Sequence, residues 1–447
     1  MLTQEVVFLS NKSSLKNSLM KKVAIIGAGW AGLSAAATLA SHTQVTLFEA
    51  SRIAGGRARS VTAEPFSFAD NGQHLLIGAY QAIFRLLQTA GVNLETAFVR
   101  QPLQWHLADG VQFQAAKNLP APLNLLFAVL GAKNAMLPEK ISLLQQMQAL
   151  QSHHKKNLPD QSVQSWLDAN RVPQKWRDEF WLPMVWGALN TPLERASIQR
   201  LCNVMTDGVW ASRAASDYLI PREDLGSVFA EPVLRYAQQH GAKWQPETRV
   251  REIGFSGCDC VINGEIFDAV IIAVAPYHLL QLLPENLGVS VREAVAQLEY
   301  HAITTVYLKY EHAFRLPALM TGFTQGTAQW LIDRSRLNGA NEIAAVVSVS
   351  DDVSGSLKTD WAARVHEDVL RVCPDVGAPI AQQVITEKRA TIASTVNRTL
   401  PEMGDLNARG IWLAGDWLHA RYPATLEAAV LSGQAAARGL LARFQTA

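Results

Sequence analysis

The stretch that decides the fold is VAIIGAGWAGLSAAATLASHTQVTLFEA, residues 23–50. A β-branched run gives way to small and apolar residues at helical spacing, and strand residues then return. This order predicts a β-strand, an α-helix and a second, parallel strand. The first turn carries a Gly-x-Gly-x-x-Gly pattern: Gly27 permits the tight turn, Gly29 a close backbone approach to a pyrophosphate, and Gly32 close helix–strand packing. Because free N–H groups at a helix start favour phosphate, the motif predicts a dinucleotide site.

Glu49 ends the second predicted strand and narrows the choice of dinucleotide. It follows Gly29 by twenty residues, where a carboxylate can accept hydrogen bonds from ribose hydroxyls. A carboxylate there repels a 2′-phosphate, so FAD or NAD is favoured over NADP. The alternative is a glycine-rich turn that binds no ligand, and the strand–turn–helix context argues against it.

A second glycine-rich segment chooses between FAD and NAD. In Gly55-Gly56-Arg57-Ala58-Arg59-Ser60, the two glycines allow another close approach, and Arg57 can neutralise phosphate charge or lie near a ribityl chain. This pattern resembles the flavoprotein superfamily of amine oxidases and phytoene desaturases. The resemblance implies FAD, with Asp416 of Leu413-Ala414-Gly415-Asp416 accepting from a flavin hydroxyl and the Val250 backbone pairing with adenine. It also implies an α/β fold, with a Rossmann-like FAD-binding domain of the glutathione-reductase type and an inserted α+β substrate domain.

Further motifs narrow the resemblance. In chain order they are Asp70-Asn71-Gly72-Gln73-His74-Leu75-Leu76, Ala188-Leu189-Asn190-Thr191-Pro192, Ser216-Asp217-Tyr218-Leu219-Ile220-Pro221, Ile303-Thr304-Thr305-Val306-Tyr307-Leu308, Glu387-Lys388-Arg389-Ala390-Thr391 and Tyr422-Pro423-Ala424-Thr425-Leu426-Glu427. The set resembles the hydroxysqualene dehydroxylases, squalene-associated flavoproteins of bacterial hopanoid pathways, over residues 21–440. This resemblance implies that the triterpene alcohol hydroxysqualene is reduced to squalene, with reduced flavin giving a hydride to an allylic cation.

Other functions stay open. On the same scaffold, an oxidative polyisoprenoid desaturase would let oxidised FAD accept a hydride. A non-catalytic flavin-binding module of an isoprenoid enzyme complex is a third possibility. An amine oxidase is weaker, because only Tyr422 is obviously placed for an aromatic cage. The sequence carries one dinucleotide motif, which favours an external electron donor of unknown identity.

Departure of the substrate hydroxyl requires a proton donor. By motif position the titratable candidates are Asp70, His74 and Asp217. Gly72 removes a side chain where the backbone passes the isoalloxazine ring, and His74 follows at the junction of flavin and substrate. His74 fits equally well as a histidine that only orients its loop.

The last predicted helix, residues 425–444, supplies the other flavin contacts. Thr425 and Leu426 open this helix, so their N–H groups can face the flavin N1/O2 edge. Glu427 is interpreted as a cap-region carboxylate rather than a catalytic one. The tryptophans of the inserted block are either cavity lining that would suit a carbocation or plain core: Trp166, Trp176, Trp181, Trp186 and Trp210.

Alternation of strand and helix patterns predicts two domains built from separated pieces. The FAD-binding domain takes residues 20–100, 220–290 and 405–447, and the substrate-binding domain takes 101–219 and 291–404. A small antiparallel meander is predicted from Thr248, leading to a buried strand at 269–274. Residues 1–19 are predicted to be a disordered leader.

Composition excludes several classes of protein. Hydrophobic residues make up 49%, and 40 Lys+Arg nearly balance 39 Asp+Glu, so a nucleic-acid partner is not expected. The charged fraction is 18%, below the typical ~25%, which favours buried surface, an apolar ligand or a membrane-facing patch. Four cysteines are too few for a disulfide framework and are poorly spaced for zinc, so we expect no metal and a reduced, cytoplasmic setting.

One segment points to a membrane surface. Residues 119–132 lack charge and are flanked by Lys117 and Lys133, but they are shorter than the ~20 residues of a membrane-spanning helix. They predict a monotopic anchor on the inner face of the cytoplasmic membrane, with an ordinary core helix as the alternative.

Overall fold

The computed structural model describes residues 20–353 and 360–446. The predicted leader, residues 1–19, lies outside the described residues. The strands are β1 Lys22–Ile26, β2 Gln44–Phe48, β3 Leu76–Ile77, β4 Phe98–Gln101, β5 Gln104–His106, β6 Gln112–Gln114, β7 Tyr218–Pro221, β8 Lys243–Gln245, β9 Gly254–Ser256, β10 Asp259–Ile262, β11 Glu265–Phe267, β12 Ala269–Ile272, β13 Tyr300–Lys309, β14 Met320–Gly322, β15 Trp330–Asp333, β16 Glu342–Ser348, β17 Ala381–Ile392 and β18 Ile411–Leu413.

The α-helices alternate with these strands at both ends of the chain and cluster in its middle. They are α1 Trp30–Leu39, α2 Gln81–Thr89, α3 Leu94–Ala97, α4 Leu123–Leu130, α5 Leu137–Lys155, α6 Val163–Ala169, α7 Gln174–Trp176, α8 Leu182–Leu189, α9 Ile198–Val204, α10 Arg213–Ser216, α11 Glu231–Gln239, α12 Pro276–Leu279, α13 Val289–Ala296, α14 Ser335–Asn338, α15 Ser350–Val353, α16 Trp361–Val372, α17 Gly404–Ala408 and α18 Leu426–Thr446. Short π-helical stretches adjoin α8, α9 and α11 at Arg177–Trp181, Met205–Trp210 and Gly226–Ala230.

A five-stranded parallel sheet forms the first layer, in the order β18-β12-β1-β2-β8. Its central strands are apolar runs because helices or loops cover both faces. Helix α1 consists of small and apolar residues and is buried almost all round. It lies against α18, where a Cβ on Gly433 would come within 2.0 Å of the Ala31 carbonyl oxygen. The predicted strand–turn–helix–strand unit and the α/β fold are therefore confirmed.

A five-stranded antiparallel sheet forms the second large layer, in the order β14-β15-β16-β13-β17. Side chains alternate across the central strand β13. Val306 and Leu308 pack with Val365 of α16, whereas Tyr307 belongs to the core formed with the helices between 123 and 204. The buried Trp166, Trp176 and Trp181 lie in this second core.

A small sheet, β3-β7-β4, joins the two layers. Arg100 of β4 pairs with Leu219 of β7, so the expected domain boundaries at 100/101 and 219/220 fall inside paired strands. The antiparallel meander β9–β11 begins at Gly254, six residues later than predicted. Residues 248–253 form no regular strand and instead run beside the large cavity described below.

Within residues 20–353 and 360–446, we find no helix with both the length and the apolar character needed to cross a bilayer. Residues 119–132 contain the short helix α4, which is eight residues long.

Candidate active site

A cavity of about 1140 Å³ lies between the two large sheets. Its volume exceeds the ~300–1,000 Å³ of an ordinary small-molecule pocket, so it has room for two ligands. At one end it is lined by the glycine turns near β1 and β2. At the other end it is lined by apolar residues of the antiparallel sheet and the helical core.

The first glycine turn is constrained by the protein at two positions and left open at the third. Gly27 has a φ of +102°, and a Cβ there would lie 2.8 Å from the Ala273 carbonyl oxygen. A Cβ on Gly32 would lie 1.9 Å from the Gly27 oxygen. At Gly29 the nearest atom to such a Cβ is the Gly56 Cα at 3.8 Å, so the protein leaves space there. Gly29 lines the cavity beside the first turn of α1.

Glu49 is held against this turn by backbone donors. Its Oε2 accepts from the Ala28 N–H at 2.8 Å, and its Oε1 accepts from the Ser51 N–H at 2.9 Å. The Glu49 carbonyl in turn accepts from the Thr248 N–H at 2.8 Å. This bond holds the segment that contains Val250 next to the end of β2. Glu49 and Val250 both line the cavity, and each carboxylate oxygen keeps a lone pair for a ligand hydroxyl.

The second glycine segment lies directly on the first. The Gly55 N–H donates to the Ala28 carbonyl at 2.8 Å, and a Cβ on Gly56 would come 3.0 Å from the Gly29 Cα. Both residues have positive φ, +119° and +63°, which other residue types rarely adopt. The two turns therefore form one surface of exposed backbone along the cavity.

Arg57 and Asp416 form an ion pair between the two ends of the chain. The Arg57 Nη2 donates to both Asp416 carboxylate oxygens, at 2.7 and 2.8 Å, and its Nη1 donates to the Ala390 carbonyl at 3.0 Å. Burial lowers the pKa of Arg57, but Asp416 more than offsets this, and the net pKa is raised. Gly415 precedes Asp416, and a Cβ there would meet the Trp417 ring at 2.7 Å.

The segment Gly72-Gln73-His74 crosses the middle of the cavity. A Cβ on Gly72 would lie 3.7 Å from its nearest neighbours, which are atoms of His74 and Thr305. The protein therefore leaves space for a side chain at this position. The Gln73 N–H donates to the Thr305 Oγ1 at 3.2 Å. Burial lowers the pKa of His74 to about 4, although a hydrogen bond to the Gly72 backbone opposes this shift. His74 is therefore a neutral imidazole near pH 7.

Asp70 and Asp217 do not line the cavity. Asp70 is buried, accepts from the Leu225 N–H at 2.9 Å, and has its pKa raised to about 7 by burial. Asp217 is buried and accepts from the Arg100 Nε at 2.8 Å, with Arg213 also paired to it. Because both carboxyls serve internal contacts, the geometry gives no support to their predicted roles as proton donors.

The start of α18 faces the cavity. Thr425 and Leu426 both line it, and the Thr425 Oγ1 accepts from the Ala428 N–H at 3.2 Å. The Glu427 carboxylate reaches the start of α2, where its two oxygens accept from the N–H groups of Ala82 and Ile83 at 2.8 and 3.0 Å. Glu427 thus caps a neighbouring helix rather than its own.

The far end of the cavity is apolar and comes from residues that sequence reasoning missed. Trp105 of β5 and Trp330 of β15 meet edge to face, with ring centroids 5.1 Å apart, and Met320, Ile332 and Val346 continue the wall. Of the five tryptophans singled out earlier, Trp186 alone lines the cavity. These wall residues come from four different strands. Predicting that they meet would require the strand order and register, which the sequence alone does not give. Among the described residues no group of three or more His, Cys, Asp or Glu side chains is placed to hold a metal ion.

The family model of flavin-containing amine oxidoreductases matches residues 30–441. The chain belongs to this family. It is therefore an FAD-dependent oxidoreductase, and FAD is its cofactor. The cavity agrees with this cofactor, since open space at Gly29 and Gly72 adjoins exposed backbone, the start of α1 and the Glu49 carboxylate.

Comparison with curated proteins gives dehydroxylases and desaturases as relatives. The chain is 29% identical to hydroxysqualene dehydroxylase of Zymomonas mobilis, covering 92% of this chain and 97% of that protein. It is 28% identical to hydroxysqualene dehydroxylase of Rhodopseudomonas palustris, with 95% and 99% covered. The 15-cis-phytoene desaturase of Glycine max is 24% identical, with 94% and 79% covered.

Solved structures of family-like fold superpose over nearly the whole chain. Putrescine oxidase bound to putrescine matches with a TM-score of 0.69 at 17% identity, covering 95% of this flavin-containing amine oxidoreductase and 100% of that chain. Cyclohexylamine oxidase from Brevibacterium oxydans matches with a TM-score of 0.70 at 15% identity, with 95% and 100% covered. At these identities the likeness concerns the fold alone.

Proposed function

We propose that this oxidoreductase reduces hydroxysqualene to squalene. The observation that carries the proposal is the large cavity, in which the end lined by the glycine turns continues into a part lined by apolar side chains. Such a cavity suits a hydrocarbon chain with one hydroxyl group better than a small, charged amine. The relatives that bear the name hydroxysqualene dehydroxylase, at 28–29% identity, support the same reaction.

The FAD contacts that we propose follow the cavity wall. Exposed backbone and the start of α1 meet the pyrophosphate, Glu49 meets the adenosine ribose, and the backbone of Val250 meets adenine. Arg57 and Asp416 meet the ribityl chain, and the N–H groups at Thr425 and Leu426 meet the flavin ring. The glycines in these contacts are Gly27, Gly29, Gly32, Gly55, Gly56, Gly72 and Gly415.

The chain's own contribution is to bind, orient and exclude water. When bound in its reduced form, FAD supplies the hydride that replaces the hydroxyl. The aromatic and aliphatic wall around Trp105 and Trp330 keeps the reacting carbon dry and fixes its position. His74 is uncharged near pH 7, so it offers a hydrogen bond rather than the proton of an imidazolium.

Anaerobic incubation tests the reaction. Photoreduced enzyme is mixed with hydroxysqualene or with squalene while the flavin absorbance is followed and the product is identified. We expect hydroxysqualene alone to reoxidise the flavin and to yield squalene. Reduced flavin that persists with hydroxysqualene would overturn the proposal.

A desaturase is the second candidate, favoured by the similarity to 15-cis-phytoene desaturase of Glycine max. It predicts the opposite electron flow, so oxidised enzyme would be bleached by squalene or phytoene under the same conditions. A non-catalytic flavin module would respond to none of these compounds in either oxidation state.

We also propose that the enzyme exchanges these insoluble hydrocarbons with a membrane at its cytoplasmic face. The apolar patch comprises six exposed side chains on α4 and the start of α5: Leu123, Phe127, Leu130, Met136, Leu137 and Ile141. Contiguous exposed apolar surface of this kind marks interaction sites. Lys117, Lys133 and Lys140 accompany the patch, and its one acidic residue, Glu139, is occupied with the Met136 N–H. The net positive charge complements anionic lipid.

The structure corrects which residues of 119–132 could meet lipid. Leu125 is buried on the inner face of α4, in the same core as Trp105 and Trp330. Phe127, by contrast, is 54% exposed. The helix is therefore two-sided, with its inner face behind the cavity wall and its outer face in the apolar patch.

Vesicle flotation tests this surface without any substrate. The patch variant Leu123→Ser/Phe127→Ser/Leu137→Ser is compared with a control that changes equally exposed residues elsewhere, Ile266→Ser/Val289→Ser/Ile380→Ser. We expect the parent and the control to float with phosphatidylglycerol vesicles and the patch variant to remain behind with its FAD intact. Equal flotation of all three proteins would show that the patch does not bind membranes. If the patch variant floats like the parent but is a monomer where the parent is a dimer, the patch is a contact between subunits.

A further inference from the structure

The small sheet β3-β7-β4 presents one polar group to the apolar part of the cavity. Tyr218 of β7 lies opposite Ile77 of β3, and residues paired across an antiparallel sheet share a face. Ile220, two residues along the strand, is on the same face. Tyr218, Ile77 and Ile220 all line the cavity, so the phenol hydroxyl lies on an otherwise aliphatic surface.

Several polar side chains along the cavity are committed to protein partners, whereas the His74 Nδ1 and the Trp186 Nε1 have none among the described residues. The Tyr422 hydroxyl donates to the Asp207 carboxylate at 2.7 Å, and the Ser216 hydroxyl donates to the Arg213 carbonyl at 2.9 Å. The Trp105 Nε1 donates to the Glu179 carbonyl at 2.9 Å. Within the part of the chain that the structure describes, the Tyr218 hydroxyl has no hydrogen-bond partner, although the residue is only 7% exposed.

A cavity-lining hydroxyl without a protein partner is available to bind a ligand. Buried polar groups nearly always find a hydrogen-bond partner, because an unpaired one costs about 1–3 kcal/mol. The Tyr218 hydroxyl can find its partner only in what occupies the cavity. A hydrocarbon chain with one hydroxyl group supplies one such partner.

We propose that Tyr218 binds the substrate hydroxyl and donates its proton as that oxygen leaves, an inference that rests on the proposed function. The substrate C–O bond breaks with its electron pair going to oxygen, and the phenol proton completes the water molecule. The carbon receives its replacement hydride from reduced flavin, and solvent returns a proton to the phenolate. The same contact selects the alcohol over the hydrocarbon product.

The protonation state of Tyr218 agrees with this role. Burial raises the pKa of its hydroxyl above the usual range, so the phenol stays protonated across the physiological pH range. The charged groups nearest in sequence, Arg213 and Asp217, pair with each other. A rate that depended on imidazolium at His74 would instead fall above pH 4–5, because the pKa of His74 is lowered to about 4.

Tyr218→Phe tests the proposal, because it removes the hydroxyl and leaves the ring. Tyr310→Phe is the matched control, since its hydroxyl bonds to His366 Nδ1 at 3.0 Å outside the cavity. Oxidised enzyme is titrated with hydroxysqualene and with squalene by flavin absorbance, and reduced enzyme is mixed with hydroxysqualene over pH 6–9. We expect the parent and the control to prefer the alcohol about tenfold and to react at a rate that is flat with pH.

The Tyr218→Phe variant should keep its FAD, lose the preference and react about 10²-fold more slowly. Binding and rate within twofold of the parent, or loss of FAD, would overturn the proposal. So would a parent enzyme that binds squalene as tightly as hydroxysqualene. If the parent prefers the alcohol through Tyr218 but its reduced flavin is not oxidised, the proposed reaction fails and Tyr218 remains a hydroxyl-binding residue.

Discussion

Gly29 and Gly32 are three residues apart in one motif, but the protein constrains them differently. A Cβ on Gly32 would overlap the Gly27 oxygen, whereas a Cβ on Gly29 would meet only ordinary van der Waals contact. We expect Gly32→Ala to destabilise the apoprotein or prevent its folding. We expect Gly29→Ala to leave the melting temperature of the apoprotein unchanged while FAD content falls, as measured by the ratio of flavin to protein absorbance. A fully loaded Gly29→Ala protein would contradict the proposed pyrophosphate contact.

Asp70 is a buried carboxyl whose charge opposes folding above neutral pH. Its pKa is raised to about 7 by burial, with Asp224 adding to the rise and Arg334 opposing it. As pH falls from 8 to 5, the folded state takes up a proton that the unfolded chain does not, so the parent gains stability. Asp70→Asn removes this titration and can still accept from the Leu225 N–H. We expect its melting temperature to exceed that of the parent at pH 8 and the gap to close by pH 5. A gap that is constant with pH would show that Asp70 does not titrate in this range.

For single residues, the sequence predicts local patterns well and contacts between residues that are distant in the sequence poorly. The positions of Gly27, Gly29 and Gly32 follow from one turn, and their geometry is as expected from the motif. The ion pair of Arg57 with Asp416 spans 359 residues, so no local pattern signals it. The predicted roles of Asp70 and Asp217 find no support in the geometry for a related reason, because a motif gives proximity along the chain but not the direction of the side chain.

Helix α2 begins beneath α18, and the Glu427 side chain of α18 reaches the first turn of α2. The Glu427 carboxylate accepts from two N–H groups that otherwise have no partner in the first turn of α2. Glu427→Ala should lower the free energy of unfolding by about 1–2 kcal/mol, measured by urea denaturation. Glu427→Gln, which keeps one acceptor, should lose less. Equal stability of the alanine variant and the parent would contradict the capping role.

Most elements were predictable, and the failures have a physical cause. The first βαβ unit and α18 follow from strong periodicity, and the structure contains both of them. The meander begins later than predicted because residues 248–253 join no strand ladder, and the Thr248 N–H donates instead to the Glu49 carbonyl just after β2. The sequence does not predict that strand β7 links the two layers, because its partners β3 and β4 lie more than a hundred residues earlier.

The whole molecule is tied together at the cavity by the Arg57–Asp416 pair. Asp416→Asn leaves a largely buried guanidinium without its counter-charge and should lower stability by about 1.5–3 kcal/mol, with loss of FAD. The double variant Arg57→Leu/Asp416→Leu should recover part of that stability and still lack FAD. Urea denaturation and flavin absorbance measure the two effects separately. A single variant as stable as the parent would show that the pair contributes nothing to folding.

The edge position of β18 has a consequence for biosynthesis. This strand, Asp416 and the start of α18 all follow residue 410 in the sequence, after every other strand of the parallel sheet. The nascent chain can form β1, α1, β2 and β12 while translation continues, since domains fold from the N-terminus as they emerge. The cavity gains its final wall only after the ribosome has added the C-terminal segment. A message truncated before codon 411 would therefore yield a chain with the complete glycine motif and no closed cofactor site.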